Sequence, residues 1–184
     1  PDAIVTVNGK TMTTEALDNA RKYSEASGTE FTDMNVYQVI NNFVTQTIML
    51  REAEKRGIVV ENGEIEAYIA EQKELMRQYI ADNPEIADSI AAYYREQGIT
   101  ADDYYETSDG KEQCRKAVML KKLTEKLKDD YDKATASQEV KELKNAAKLY
   151  EELYRKRYEK ATILINQKNV DGYIETYHIK KSVT

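Results

Sequence analysis

Apolar side chains recur at three- and four-residue steps along most of this 184-residue chain. Such spacing places side chains on one stripe of an α-helix, and it differs from the two-residue alternation typical of half-buried strands. Residues suited to helix N-caps precede several stripes, and glycines follow them. The pattern predicts six helices, at about 13–28, 33–56, 62–80, 83–98, 100–130 and 140–160, with a bend in the fifth at Gly110.

Two short runs of β-branched and apolar residues lie at opposite ends of the chain, "AIVTV" at Ala3–Val7 and "ATILIN" at 161–166. After the second run, Asp171 and Gly172 form a pair typical of a two-residue β-hairpin turn. Because an isolated hairpin is marginal in water, we expect Ala3–Val7 to pair with 162–165. The predicted fold is mostly α, with about six helices and a small antiparallel sheet formed by the N-terminal strand and a C-terminal β-hairpin.

The chain has the length and composition of one domain spanning 1–184. Hydrophobic residues make up 41% and charged residues 33%, with only 7 Gly and 2 Pro, which favours long helices with a charged surface. We divide the domain into a helical core at 11–130, a linker at 129–139, a returning helix at 140–160 and closing strands at 161–180.

Composition also excludes several classes of protein. The net charge of −6 argues against a nucleic-acid partner, because phosphate-backbone affinity comes mainly from Lys and Arg. Cys114 is the only cysteine, so an internal disulfide and a multi-cysteine metal site are excluded. No apolar run approaches the length needed to span a bilayer, and the chain does not begin with a signal-peptide pattern. Whether a signal peptide or a lipid anchor precedes Pro1 is left open by the sequence.

Three segments carry a resemblance to a known family. "VTVNGKTMTTEAL" offers a strand, an Asn-Gly turn and a capped helix, and "GITADDYYE" offers a glycine followed by a capped acidic helix start. Between them, a long helix ends in the pattern supplied by Leu50, Glu52, Ala53, Lys55, Arg56, Gly57 and Ile58. In this order, over about residues 3–130, the segments resemble the N-terminal chaperone domain of the SurA and PrsA type, which is related to the trigger-factor peptide-binding region.

The resemblance implies an ATP-independent chaperone that binds unfolded or extended polypeptide segments, needs no cofactor, and works outside the cytoplasm, in the periplasm or on the outer face of the cell membrane. "YEELYRKRYEKATILI" is similar to the helix and strand that return to complete this domain. The family's prolyl isomerase (parvulin) domain normally lies before that return. Here the segment 129–139 stands in its place, far shorter than a catalytic domain, so we expect no isomerase activity.

Few residues suggest catalysis or ion binding. His178, the only histidine, is predicted to face solvent on a strand, without the partners that a general base requires. Cys114 lies on an apolar stripe and is expected to be buried. The window 167–178 lacks the first and last acids of a calcium loop. The acidic pair of Asp102 and Asp103 fits a helix start. The acidic group of Asp129, Asp130 and Asp132 fits a solvated linker. We therefore predict no catalytic residue, metal or cofactor.

Tyrosine is the most unusual part of the composition, with 14 Tyr against 2 Phe and no Trp. A tyrosine ring buries apolar surface while its hydroxyl tolerates water. Adjacent helical residues point about 100 degrees apart, so the pairs near one helix junction are not expected to face inward together. The candidate peptide-binding residues are Met76, Tyr79, Tyr93, Tyr94, Tyr104 and Tyr105. The alternative is that these side chains only edge the core.

Three functions are compatible with this sequence. The first is client binding by a chaperone domain, and the second is an adaptor module that binds one folded partner through the same helical surface. The third, a prolyl isomerase with a degenerate site, has the least support from the residues. An exposed apolar cleft would favour the chaperone, whereas a flat patch closed by a second copy would favour the adaptor.

Overall fold

A computed structural model describes residues 1–136 and 144–182. Within these ranges the chain is mostly helical and carries one small three-stranded antiparallel sheet. The predicted fold class is therefore confirmed, although the helices in these ranges number eight rather than six. In chain order the elements are β1 (Ala3–Val7), β2 (Lys10–Thr13), α1 (Thr14–Ala26), α2 (Asp33–Lys55), α3 (Asn62–Asp82), a 3-10 turn (Pro84–Ile86), α4 (Ala87–Glu96), α5 (Ala101–Tyr104), α6 (Ser108–Thr135), α7 (Ala146–Tyr158), β3 (Ile163–Ile165) and α8 (Gln167–Thr176).

The sheet joins the two ends of the described chain. Its order is β2–β1–β3, and β1 pairs antiparallel with β3, so that Val5 lies opposite Ile165 and Val7 opposite Ile163. The Asn8 amide extends the ladder by donating to the Thr162 carbonyl oxygen at 2.9 Å. The predicted pairing of the N-terminal strand with 162–165 is confirmed. The sequence did not reveal β2, the third strand, which follows the turn at residues 8 and 9.

The predicted C-terminal hairpin is wrong. Asp171 and Gly172 lie inside α8, where they occupy the exposed face of the helix. Asn166 caps this helix by accepting the Asn169 amide on its side chain at 3.2 Å, and Val170 and Tyr173 bury the inner face. The three-residue step between these buried side chains therefore outweighs the turn preference of the Asp-Gly pair.

His178 lies just after α8 and not on a strand as predicted. It adopts a left-handed backbone conformation with φ of 49° and its side chain is exposed. A residue in this conformation commonly ends a helix, although glycine is more usual there. The chain then continues to Lys180, which bridges to Thr32 ahead of α2.

The predicted fifth helix divides in two between Tyr104 and Ser108. Thr107 caps the second part, α6, because its hydroxyl accepts the Gly110 amide at 3.0 Å. Asp109 lies in the first turn of this new helix, where its carboxylate interacts favourably with the positive end of the helix dipole. The structure thus replaces the expected bend at Gly110 with a break just ahead of it.

The predicted linker at 129–139 is also corrected, since α6 continues to Thr135. Helical ion pairs four residues apart support this extension, including Lys126 with Asp130 at 3.2 Å and Lys133 with Asp129 at 2.8 Å. The remainder of that linker from residue 137, and the first part of the predicted returning helix up to 143, lie outside the described residues. The returning helix itself is α7, Ala146–Tyr158.

The main core surrounds α2, whose Val36, Ile40, Val44, Ile48 and Met49 are all buried. It also contains the inner face of β1, together with residues of α6, α7 and α8. The main core therefore joins residues from both ends of the described part of the chain. No helix in the described part of the chain is long and apolar enough to cross a membrane.

A buried carboxylate fastens the returning helix α7 to α2. Glu52 is only 5% exposed, and it accepts two hydrogen bonds from Arg157, from Nε at 2.7 Å and from Nη2 at 3.0 Å. Arg56 donates a third from its Nε at 2.9 Å. These bonds lower the pKa of Glu52 from 4.5 to about 2, with the Arg157 hydrogen bonds as the largest cause. The carboxylate is therefore fully ionised at neutral pH.

Candidate functional site

An open cleft of about 530 Å³ lies between α1, α2 and α3. Its walls come from these helices, from the segment that joins α1 to α2, and from the residue that follows α5. The lining residues are Ala20, Tyr23, Ser24, Ser27, Thr29, Phe31, Asn35, Gln38, Val39, Asn42, Gln72, Leu75, Met76, Tyr79 and Tyr105.

Helical periodicity explains why each wall presents these side chains. The lining positions on α2 are 35, 38, 39 and 42, and those on α3 are 72, 75, 76 and 79, so each set follows three- and four-residue steps. The helix α3 packs mainly against α6 and does not close onto α2. The apolar stripe of α3 therefore stays partly open, with Leu75 52% exposed and Tyr79 40% exposed.

None of the fifteen lining side chains carries a charge at neutral pH, although a third of the chain consists of charged residues. Burial raises the pKa of Tyr23 and Tyr105, which keeps both lining phenols neutral. A surface that is uncharged within such a highly charged exterior disfavours a phosphate or metal ligand. It suits apolar groups and neutral hydrogen-bonding groups instead.

Carboxamide side chains supply the polar part of the cleft. Gln38, Asn42 and Gln72 make no side-chain hydrogen bond within the part of the chain that the structure describes. Asn35 is already engaged at the start of α2, where its Oδ1 accepts the Thr32 amide at 2.8 Å. Each free carboxamide offers both a donor and an acceptor, the two groups that a peptide backbone also presents.

The structure brings three of the six predicted site residues to the cleft, namely Met76, Tyr79 and Tyr105. The other three, Tyr93, Tyr94 and Tyr104, belong to a second small core with Ile86 and Ile90. Tyr94 is buried, and its two companions are half-buried. The expectation that these residues only edge a core therefore describes half of the set.

The tyrosine rings nevertheless form one connected series. Successive ring centroids are 5.5 Å apart from Tyr23 to Tyr93, 5.0 Å to Tyr94, 6.0 Å to Tyr104 and 5.4 Å to Tyr105. The first and last rings line the cleft, and the middle three support them from behind. Edge-to-face and tilted contacts of this kind fix ring orientation, so the second core positions the rings of Tyr23 and Tyr105 in the cleft.

Sequence reasoning missed the carboxamides, and it also missed Tyr23, Phe31 and Val39. A signal was present, because Asn35, Gln38 and Asn42 recur at helical steps on α2 beside the apolar stripe. This polar but uncharged stripe lies in a stretch of α2, residues 34–50, that contains no charged residue, which is unusual in a chain with 33% charged residues. Only the placement of α3 opposite it shows that the two stripes form one cleft.

The remaining chemical candidates take ordinary structural places. Cys114 is buried as expected, and burial raises the pKa of its thiol. Asp103 forms the expected capping contact with Thr100, whose hydroxyl accepts the Asp103 amide at 3.1 Å. Among the described residues no group of three or more His, Cys, Asp or Glu side chains is arranged to hold a metal ion.

No protein-family model, curated protein or solved structure matches this chain. Its resemblance to the SurA and PrsA type therefore depends on the sequence segments described above. The cleft is an observation independent of that resemblance, since it follows from the positions of the described residues alone.

Proposed function

We propose that this chain is an ATP-independent, peptide-binding chaperone domain that holds unfolded or extended polypeptide segments in the uncharged cleft. The observation that carries the proposal is the chemistry of the lining: exposed apolar and aromatic side chains beside free carboxamides, without a charge. Leu75, Met76 and Tyr79 would cover apolar client side chains, while Gln38 and Gln72 would bond to the client backbone. The domain requires no cofactor for this activity.

The size of the cleft suits an extended segment. Its volume of about 530 Å³ is comparable to pockets that bind small ligands, and the cleft is open to solvent. An adaptor would instead dock one folded surface on a flat apolar patch. Contacts through methionine and tyrosine adapt to different sequences, so binding is expected to be weak and broadly selective.

The family resemblance supports two further parts of the proposal. The domain acts outside the cytoplasm, and it binds clients without catalysing proline isomerisation. A proline-isomerisation assay that detects catalysis by the purified protein would overturn the second part.

Client binding is tested by mixing the purified protein with several unrelated proteins that are unfolding and measuring light scattering. We expect the protein to suppress aggregation of more than one client, because the cleft offers no charged group that would select a particular sequence. If it suppresses aggregation of none at several-fold molar excess, the proposed function is wrong.

A charge in the cleft is expected to abolish most of this activity. In Leu75→Glu, a carboxylate replaces a 52% exposed apolar side chain, which removes contact area and adds a desolvation cost on binding. Affinity for a labelled unfolded peptide should fall about ten-fold, measured by fluorescence anisotropy. Because position 75 is on the surface of α3, the unfolding free energy should change by only about 0.5 kcal/mol.

The matched control is Val59→Glu, which introduces the same charge at a 63% exposed apolar residue outside the cleft. This variant should bind the peptide as the unmodified protein does. Equal loss of affinity in both variants would mean that net charge, and not the cleft, governs client binding.

A further inference from the structure

A second pocket, of about 570 Å³, lies where α2 and α7 end. It shares no lining residue with the uncharged cleft, and its chemistry is the opposite. Five of its side chains are cationic, which stands out in a chain with a net charge of −6. These five are Arg51, Lys55, Arg56, Arg157 and Lys160.

The only carboxylate in the lining is Glu52, and its charge is already balanced. It is buried and accepts hydrogen bonds from both Arg56 and Arg157. Arg56 also lies 3.9 Å from Asp130, which does not line the pocket, and an ion pair at this separation is long and weak. The buried carboxylate of Glu52 thus holds the guanidinium groups of Arg56 and Arg157 in place, and it leaves no free negative charge inside the pocket.

The other three cations have no such partner. Arg51, Lys55 and Lys160 are exposed and make no ion pair within 4 Å among residues 1–136 and 144–182. Asn8 contributes a neutral donor beside them, since its Oδ1 accepts the Thr162 amide at 3.0 Å and its Nδ2 has no partner in the described chain.

Helix ends account for only part of this charge. The C-termini of α2 and α7 each carry roughly half a negative charge, and basic residues in the last turn commonly balance it. Together the two ends offset about one elementary charge. Three unpaired cations therefore exceed what the two helix ends require, and their mutual repulsion is relieved when an anion binds between them.

We propose that this pocket binds a phosphate group. Arginine and lysine side chains provide the charge-assisted donors that phosphate oxygens accept, and the negative charge of the phosphate would offset the excess positive charge. A soluble phosphate monoester presents that group with up to two negative charges, and the headgroup of an anionic lipid presents it as a phosphodiester with one. Binding here does not depend on client binding, because the two sites share no lining residue, and Asn42 and Ile48, their nearest lining residues on α2, are about 9 Å apart along the helix axis.

The test titrates the intact protein with inorganic phosphate and with glycerol phosphate by isothermal titration calorimetry at low ionic strength. In parallel, sedimentation measures binding to vesicles of phosphatidylglycerol mixed with phosphatidylcholine, against phosphatidylcholine alone. The test variant replaces the three unpaired cations together, as Arg51→Gln, Lys55→Gln and Lys160→Gln. Glu52, Arg56 and Arg157 are left unchanged so that α7 stays attached to α2.

A control variant removes the same number of charges elsewhere. It replaces three exposed lysines outside the pocket, Lys22, Lys121 and Lys168, with glutamine. We expect saturable binding by the unmodified protein and the control, and binding at least about ten-fold weaker in the test variant.

The two assays separate the sources of the phosphate. Loss of phosphate binding by the test variant, without any vesicle binding by the unmodified protein, identifies a soluble ligand. Loss of vesicle binding in the same variant identifies a lipid headgroup. The proposal is overturned if the unmodified protein binds neither phosphate nor vesicles, or if the test and control variants lose binding equally.

Discussion

Gly110→Ala is expected to destabilise the domain by about 3 kcal/mol, because a new Cβ atom at this position would enter the backbone of the preceding helix. That atom would lie 2.1 Å from the Tyr104 carbonyl oxygen and 3.0 Å from the Tyr105 Cα. Backbone atoms cannot rotate away as a flexible side chain would, so α5 and α6 must separate. Urea denaturation followed by the helical circular dichroism signal measures the loss.

The same substitution should also weaken client binding, because Tyr105 lies at this junction and lines the cleft. The matched control is Gly172→Ala in α8, where nothing lies within 4 Å of the new Cβ. Alanine favours a helix interior over glycine, so this control should gain about 1 kcal/mol. An unchanged unfolding free energy in Gly110→Ala would mean that the two helices do not approach each other as closely as described.

Glu52→Gln is expected to lower the unfolding free energy by about 2 kcal/mol at neutral pH. The substitution keeps the shape of the side chain but removes the charge that three arginine hydrogen bonds share. Arg56 and Arg157 are partly exposed, so water can hydrate both guanidinium groups when the charge of Glu52 is removed. The loss of unfolding free energy is therefore smaller than for a fully buried ion pair. Chemical denaturation measures it.

The control for this variant is Glu151→Gln, at an exposed position on α7 without an ion pair within the described chain. It should leave the unfolding free energy within about 0.5 kcal/mol of the starting value. Equal stability of Glu52→Gln and Glu151→Gln would show that the attachment of α7 to α2 does not depend on this carboxylate.

The contribution of Glu52 to the unfolding free energy should decrease as the pH falls. Its pKa is lowered from 4.5 to about 2 in the folded chain, so the ionised form is the one that folding favours. That stabilisation is complete above about pH 4.5 and is lost as the pH falls toward 2. The difference in stability between the unmodified protein and Glu52→Gln should shrink over the same range. A constant difference would contradict the assigned ion pair.

The helical core could be predicted from the sequence because local signals agree with tertiary packing there. Val36, Ile40 and Val44 follow helical steps, and all three are buried. The pairing of Ala3–Val7 with β3 was also predictable, since the chain offers few β-branched runs and an open strand edge requires a partner.

Where local signals conflict, tertiary contacts decide, and the sequence alone does not contain the answer. Asp171 and Gly172 favour a turn, yet Val170 and Tyr173 are buried on the inner face of a helix. The division of the fifth helix likewise depends on how closely Tyr104 approaches Gly110, a contact between two helices. Propensity is a weak prior in such segments.

Three of the six site residues predicted from the sequence line the cleft, and the other twelve of its fifteen lining residues follow only from the geometry. An excess of tyrosine indicated adaptable aromatic surface, and Tyr79 and Tyr105 do line the cleft. Tyr93, Tyr94 and Tyr104 could not be separated from them by sequence, because all are tyrosines near helix ends. Their division between cleft and second core depends on how α4 packs against α1 and α5, which no local pattern encodes.

Site-specific photo-crosslinking tests the client-binding cleft most directly. A photoreactive amino acid replaces Met76 inside the cleft or, as the comparison, Met34, which is 63% exposed and lies outside it. Each variant is irradiated with a labelled unfolded client, and crosslinked product is measured on a gel. Efficient crosslinking from position 76, little from position 34, and competition by an unlabelled peptide are the predicted result. Equal crosslinking from both positions, or none from position 76, would contradict the proposed cleft.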